Sequence, residues 1–546
     1  MTTDFKNLSA EQLKIFDENI EILINDYNQL IDRVLLDMPN RIESLVSNAV
    51  SRNVFFNNSL YEIKCLRYLD QIDLKVGDSV IVYHESLKKS ILSKYKGVNV
   101  ILKKEKKKLW LHIAKQYLRT VVKFWHYYKS RSKERRENLV KTKGVTLIDT
   151  FMHEDSINKG RFIDRYYCDM VCHVENKTKI FELLFPICSI SAEKARKVSD
   201  GTNENILFFF DLLKLSDYIK ALILPFRDNI TASYSYNGYD VTPIIKESLC
   251  SYDDYFMFGV LYYCFFKRAK QYGVEIRHVV DWYENQSHDK GLYYGLSKFY
   301  PDATVNAYVG FITNPEQTPH NIPTKAEFER GIAPQKIFLC NRWLASYYGE
   351  KSGYANCKPA SFFRASKIWT LSQKERTDDE FRIIVPLSLN NRESEFKVER
   401  MKNLCSKSSQ NIKMLLKPHP DTSKEFVDSL IKGNEDVIST VYGSIYDYLI
   451  DVDAMIATVS TSIYEAVALG VPIISLRDPK NQFNVTMPKG FDNDIWINVE
   501  SVSDFDLGIS KIKQQGRKFY QNIGNQMKEL FFEPVNDLTI NEIMNI

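Results

Sequence analysis

Apolar residues recur along this chain with two different periods. Over the first 75 residues, stretches such as EQLKIFDENIEILINDYNQLIDRVLLDM place them three and four apart, which is the period of a helix with one buried face, so an added helical segment is expected over 1–75. From Asp78 short apolar runs alternate with helical stretches: SVIVYH, VNVIL, a long basic helix, TLIDTF, NILFFFDLL, YFMFGVLYYCFFKRAKQYG, EIRHVVDW, DKGLYYGLSKFYP, TVNAYVGFI and QKIFLC. A second alternating series starts at FRIIVPLS and runs through MLLKPHP, DVIST, AMIATVS and VPIISL to IWINV. Strands alternating with helices predict parallel sheets covered on both faces. The expected class is therefore α/β, with one such domain over 76–365, a second over 366–510, and helices over 511–546 that pack back across the junction.

A length of 546 residues fits two or three domains, and 44% hydrophobic with 26% charged content is ordinary for a folded, soluble chain. Nine irregularly spaced cysteines and a polar N-terminus without a secretory signal point to reduced thiols in a cytoplasm. Cys168, Cys172 and His173 approach metal-ligand spacing, but no second Cys/His pair completes a site, so no metal is expected there. No apolar run reaches the 18 or so residues that span a bilayer.

The net charge of +4 conceals an asymmetry: residues 103–143 hold 15 Lys/Arg against three Glu, a net of +12, which leaves about −8 for the rest. Within that insertion, 109–128 carries Lys115, Arg119 and Lys123 on one helical face, with Trp110, Ile113, Leu118, Val122 and Trp125 elsewhere. Basic residues with Trp on an amphipathic helix suit an anionic leaflet, so contact with the inner face of a membrane is one expectation. A helix packed on its own domain is the other. Nucleic acid is not expected as a partner, because no binding motif accompanies the charge.

Two strand tips in the second half carry polar chemistry. The strand in LLKPHPD (415–421) runs into Lys417, Pro418, His419 and Pro420, and the strand AMIATV runs into Ser460, Thr461 and Ser462. Ligands of open α/β sheets sit outside the carboxyl ends of strands, so both tips are expected to face one crevice. A histidine between two prolines cannot lie inside a helix and is presented rigidly, where its imidazole, helped by Lys417, suits a departing phosphate. The hydroxyl row at the start of the helix IYEAVALG suits the same anion or serves as a helix cap. Glu465, one turn on, either binds a sugar hydroxyl or complements the helix dipole.

In the first half the strand IRHVVDW ends in Tyr283, Glu284, Asn285 and Gln286. Glu284 is the expected general base or nucleophile, because Asp281 should lie within the apolar strand and Asp289 reads as the cap of the next helix. His288 reads as a surface group. Asp451 and Asp453 spell a DxD, but at the end of a strand away from the crevice, so it is not expected to bind a metal. No GxGxxG or GxxxxGK[ST] occurs, and phosphate must be held by side chains and helix ends.

The pair KPHP and STS-x-x-x-E-A-x-x-L-G-x-P resembles the GT-B glycosyltransferases of bacterial surface polysaccharides, in particular capsule enzymes of the Kps type that use CMP-activated Kdo, sialic or pseudaminic acids. ENQSHDKGLYYGLSKFYPDATVNAYVGF (284–311) is similar to the N-terminal domain of such enzymes, and the resemblance covers 277–476. It implies a GT-B-like pair of facing Rossmann-like domains, a CMP-sugar co-substrate with no resident cofactor or metal, and a capsule or other surface glycan acceptor, including a lipid-linked one. It further implies nucleotide-phosphate contacts from His419 and from Ser460, Thr461 and Ser462, and acid/base or nucleophilic work by Glu284. The acidic pair before glycine used by sialyltransferases is absent. Polyol-phosphate transferases share Lys-x-His-Pro but continue Asp-Tyr-Ser-Ser, and UDP-sugar epimerases carry a glycine-rich stretch before Glu-Glu; neither fits TVSTSIYEA. The alternatives carried forward are a UDP- or GDP-sugar transferase and a non-catalytic glycan-binding component of a capsule assembly.

Overall fold

The computed structural model describes all residues except 1, 54–56, 104–108, 154–156, 159–160, 169, 171–173, 175–176, 187–190, 202–204, 227–231, 250–253, 317, 319–320, 377–378, 389, 420–421, 436, 458–459, 479–486, 489–490, 492–493 and 546. Cys172 and His173, and with them the Cys/His spacing noted above, lie outside the described residues.

Strands β1 (Thr2–Asp4), β2 (Ser79–Val82) and β3 (Asn99–Leu102) form a small parallel sheet. The start of the chain is thus a strand rather than part of the helical segment. Three residues are too few for a period of two to register, and their partner is far away in sequence. SVIVYH and VNVIL accordingly stay out of the large first sheet. That sheet has seven strands: β4 (Val145–Met152), β5 (Ile180–Pro186), β6 (Ile206–Phe208), β7 (Ile276–Trp282), β8 (Thr304–Val309), β9 (Lys336–Leu339) and β10 (Asn356–Pro359), in the order β10-β9-β8-β7-β4-β5-β6 and parallel throughout. Only Arg277 of β7 is exposed, as expected for a strand covered on both faces.

The second sheet comprises β11 (Phe381–Pro386), β12 (Ile412–Lys417), β13 (Ile438–Thr440), β14 (Ala454–Ile456), β15 (Ile473–Leu476) and β16 (Trp496–Val499), ordered β13-β12-β11-β14-β15-β16 and again parallel. In each sheet the strand order reverses once, between β4 and β7 in the first and between β11 and β14 in the second. Those reversals open a crevice at the carboxyl ends, the usual seat of a ligand.

Helices fix what lies at these ends. Chief among them are α1 (Ile20–Asp37), α2 (Leu109–Lys129), α3 (Leu215–Ile223), α4 (Asp254–Gln271), α5 (Ser287–Phe299), α6 (Ser462–Ala468), α7 (Val502–Phe531) and α8 (Asp537–Met544). α4 and α5 cross at Gly259 and Gly291, where a Cβ on Gly291 would lie 1.9 Å from the Gly259 carbonyl oxygen; only glycine allows this approach, and it sets the start of α5 against the tip of β7. The N-terminal helices are pinned to the first sheet by a buried triad: Glu327 takes Arg52 at 2.8 Å and Lys290 at 2.5 Å. α7 bends at Gly516, whose φ is +71°. α8 then returns to the first sheet, burying Ile540, Ile543 and Met544 against Val280, Trp282, Tyr308 and Phe338, while Asn306 Nδ2 donates to the Ile543 carbonyl at 2.8 Å.

α2 packs through one face only. Phe124 and Tyr127 are buried, the latter stacked on Phe210, whereas Leu118 (64% exposed), Val121, Val122 and Trp125 (52%) face outward. The side chains of Trp110 and Ile113 lie outside the described residues. α3 runs beside α2, joined by a bond from the Tyr117 hydroxyl to the Leu222 carbonyl and by Tyr218 against Phe124 and Tyr128, and it too exposes an apolar stripe, Leu215, Ile219 and Ile223. Among the described residues no helix is long and apolar enough to cross a membrane.

Candidate active site

β12 ends at Lys417, where the chain leaves the sheet through buried Pro418 and half-buried His419. The His419 carbonyl accepts from Thr422 N–H at 2.9 Å, and Lys417 Nζ donates to the Pro418 carbonyl at 3.2 Å. β11 lies between β12 and β14, so His419 and the hydroxyl row leave the sheet about two strand spacings apart, on the order of 10 Å. A nucleoside phosphate reaches across such a gap; a single phosphoryl group does so only if side chains lean in.

The three hydroxyls have separate tasks. Ser460 is exposed, and its Oγ accepts from Ser462 N–H at 3.3 Å. Thr461 is buried: its Oγ1 accepts from Ile312 N–H at 3.1 Å and donates to the Ile312 carbonyl at 3.3 Å. Its side chain therefore bolts the second half to the loop after β8 and is not presented to a ligand. It stands at the cap position of α6 without capping it, and Ser462 is the first helical residue. Glu465 is buried; burial raises its carboxyl pKa, opposed by the charge of Arg364 and the nearby Tyr446 hydroxyl.

At the first sheet's reversal, Glu284 follows β7 by two residues and is half-buried. Trp282 Nε1 donates to its Oε1 at 3.0 Å and Gln286 Nε2 to its Oε2 at 2.6 Å, so the carboxylate is aimed rather than free to swing. Its pKa is raised by burial and by Asp289, and held back by His288, by the Trp282 bond and by Arg364. α5 begins at Ser287, two residues earlier than the sequence reading places it. Asp289 is the third residue of that helix, not its cap, and accepts from Gln286 N–H at 2.7 Å and Glu284 N–H at 3.1 Å. One buried carboxylate thus shapes the turn that carries Glu284.

His288 is not a surface group. It is buried between Phe151 and Phe185, with Nε2 2.9 Å from Asp289 Oδ1. Burial works against its charge, but Asp289, Asp149 and Glu284 outweigh that and push its pKa up to about 9. Beneath it, Asp281 of β7 and Asp149 of β4 are register partners on adjacent strands, both fully buried. Burial pushes Asp149 up to about 7, and Asp281 well above the usual carboxylate range. Tyr262 donates to Asp149 Oδ1 at 3.0 Å. The site thus rests on a buried cluster of acids, one imidazolium and phenols. Its trace in the sequence is an acid near the end of each of two apolar strands, LIDTF and VVDW.

Arg364 carries no signal in the sequence, because it lies in the connection between the halves, outside any strand or periodic helix. Asp453 of the DxD accepts from Arg376 and Arg517 at 2.8 Å each and from Arg382 N–H at 2.9 Å, so that carboxylate is enclosed by basic groups at the amino end of β14. Among the described residues no three His, Cys, Asp or Glu side chains are placed to hold a metal ion.

No family model and no curated protein sequence matches this chain. Solved structures with a related arrangement include MnaA of S. aureus in complex with UDP (TM-score 0.40, 11% identity, covering 74% of this chain and 95% of that one) and the apo form of the lipopolysaccharide outer core galactosyltransferase WaaB (0.40, 11%, 73% and 98%). A third is the accessory secretory protein 1, 2 and 3 complex of Streptococcus pneumoniae (0.32, 12%, 53% and 58%). At such scores no activity is carried over from them. The two parallel sheets and their paired carboxyl ends stand on this chain's own topology.

Proposed function

We propose that this protein is a GT-B-type glycosyltransferase that moves a nonulosonic-type sugar from a CMP-sugar to a capsule or other surface glycan. The observation that carries the reading is the juxtaposition of two sheet reversals, Glu284 at one and His419 with Ser460 and Ser462 at the other, bridged where Thr461 clasps Ile312. The leaving nucleotide phosphate gains negative charge in the transition state. His419, Lys417, the exposed Ser460 hydroxyl and the start of the helix at Ser462 would stabilise it without a metal. Glu284, held by Trp282 and Gln286, would either take the proton of the acceptor hydroxyl, giving inversion, or attack the anomeric carbon, giving retention after a second displacement. Its raised pKa makes it a stronger proton acceptor than a solvent-exposed carboxylate.

A donor screen tests the proposal: purified protein, a panel of CMP-, UDP- and GDP-sugars, and mass detection of released nucleotide, with His419→Ala alongside. Release of CMP, lost in His419→Ala, is the expected result. Release of UDP or GDP instead would leave a transferase of another donor class. Glycan binding without nucleotide release, unchanged in His419→Ala, would overturn the enzymatic reading.

A second reading concerns where the protein works, and the outward apolar stripes of α2 and α3 favour it. Leu118, Val122, Trp125, Leu215, Ile219 and Ile223 are exposed beside Lys115, Arg119 and Lys129 in the most basic part of the chain. Such a face suits an anionic lipid surface, where a lipid-linked acceptor would be met. Co-sedimentation with phosphatidylglycerol vesicles, lost in Trp125→Glu with Ile219→Glu and at high salt, is expected; equal binding to neutral phosphatidylcholine vesicles would overturn the electrostatic part.

A further inference from the structure

Several arginines of this protein are paired with buried carboxylates: Arg52 with Glu327, Arg196 with Asp211, Arg268 with Asp217 and Arg392 with Asp478. Arg364 is different. It is half-buried in the 3₁₀ segment Phe363–Trp369 that leads from one half to the other, and it makes no hydrogen bond or ion pair among the described residues. The two residues before it are nonetheless fixed. Phe363 N–H donates to the Tyr308 hydroxyl at 3.4 Å, that hydroxyl donates to the Ser361 carbonyl at 2.8 Å, Phe362 N–H donates to the Glu533 carbonyl at 2.9 Å, and the Phe362 ring stacks on Phe532.

The surroundings come from both halves. The charge of Arg364 acts on Tyr166, Glu284 and Tyr308 on the first side and on Tyr446 and Glu465 on the second. Two carboxylates are thus within electrostatic reach, yet neither closes a salt bridge. Glu284 is held by Trp282 and Gln286, and Glu465 is held within α6. A guanidinium without a protein partner keeps its planar fork for an oxyanion with two free oxygens, a geometry that phosphate matches.

We propose that Arg364 is the cationic anchor of the crevice, taking the phosphoryl oxyanion of a bound pyrimidine nucleotide between Glu284 and Glu465. The proposal rests on the nucleotide-sugar reading above and adds to it a ligand contact from the connection itself, not from either sheet. A cation there would also offset the repulsion between the bound phosphate and the two acids.

The test is isothermal titration of the full chain with CMP, UMP and cytidine, using wild type, Arg364→Gln and Arg364→Lys. Wild type should prefer CMP to cytidine, with the preference shrinking as salt rises. Arg364→Gln should weaken CMP about tenfold or more while leaving cytidine unchanged, and Arg364→Lys should fall between, since it keeps the charge and loses the fork. If Arg364→Gln lowers the thermal midpoint, the Lys variant carries the comparison. Equal CMP binding by wild type and both variants, with His419→Ala weakened, would overturn the anchor and leave the nucleotide reading standing. No binding of CMP or UMP by wild type would overturn both.

Discussion

The carboxyl ends of the two sheets are built on opposite plans. At the first, charge lies inside: Asp149, Asp281, Asp289 and His288 are buried, and Glu284 is held by two donors and backed by that cluster. At the second, more of the polarity lies at the rim: Ser460 is exposed and His419 and Lys417 are half-buried, while the enclosed acids Glu465, Glu393 and Asp478 sit behind them. The first end is preorganised, with desolvation already met by folding. The second is more exposed to solvent. Preorganisation beside the reacting centre and openness beside the leaving group is a division of labour that suits group transfer, because geometry matters most where bonds form.

The sharpest way to break the comparison is through the support under the first end. Glu327→Ala should cost about 3–5 kcal/mol, because it leaves both Arg52 and Lys290 buried without a counter-charge. Urea unfolding checks this, and a loss below about 1 kcal/mol would mean the triad is not buried in solution. Next in size comes Glu284→Gln, which keeps the shape of the side chain. It should lower turnover about 10²–10⁴-fold while leaving the thermal midpoint near that of wild type, whereas a fall in the midpoint without loss of turnover would make Glu284 a structural residue.

Much of the architecture was legible because it depends on period. The six strands of the second sheet coincide with apolar runs of the sequence, each ended by turn residues. What escaped depended on partners far along the chain. The strand Thr2–Asp4 exists because Ser79–Ile81 pairs with it, and β10, Asn-Cys-Lys-Pro, is an edge strand with almost no apolar signal. The site shows the same limit. Lys417, His419, Ser460, Ser462 and Glu284 could be placed at strand tips from local pattern, but Thr461 is engaged by Ile312, a residue 149 positions away, and no local rule foretells that. His288 was misread for a related reason: its burial comes from Phe151 and Phe185 on other strands. Arg364 has no periodic context at all.

A smaller effect separates the two ends by pH. His288 is raised from 6.5 to about 9 and Asp149 from 3.8 to about 7. For a group whose folded pKa lies above its unfolded value, the stability it contributes is complete below the unfolded value and fades as pH rises through the folded one. The Asp149 share therefore fades between about pH 4 and 7, and the His288 share between about 6.5 and 9. Asp149→Asn should flatten the fall of the thermal midpoint between pH 5 and 7 relative to wild type. If wild type and variant show parallel profiles there, Asp149 does not titrate as a buried acid.

The smallest expected effect is the most discriminating, because it concerns the seam between the two plans. Thr461→Val removes a hydroxyl while keeping the shape, and it leaves the Ile312 N–H and carbonyl without their partner, so stability should fall by about 1–3 kcal/mol. Ser460→Ala, one residue away and exposed, should change stability by less than about 0.5 kcal/mol. Nucleotide affinity should order the pair the other way, with Ser460→Ala weakening CMP at unchanged midpoint, and Thr461→Val acting on binding only as far as it loosens the seam. Were Thr461→Val to weaken CMP strongly at an unchanged midpoint, its hydroxyl would have to leave Ile312 for the ligand, and the second end would be a site assembled by closure of the two halves.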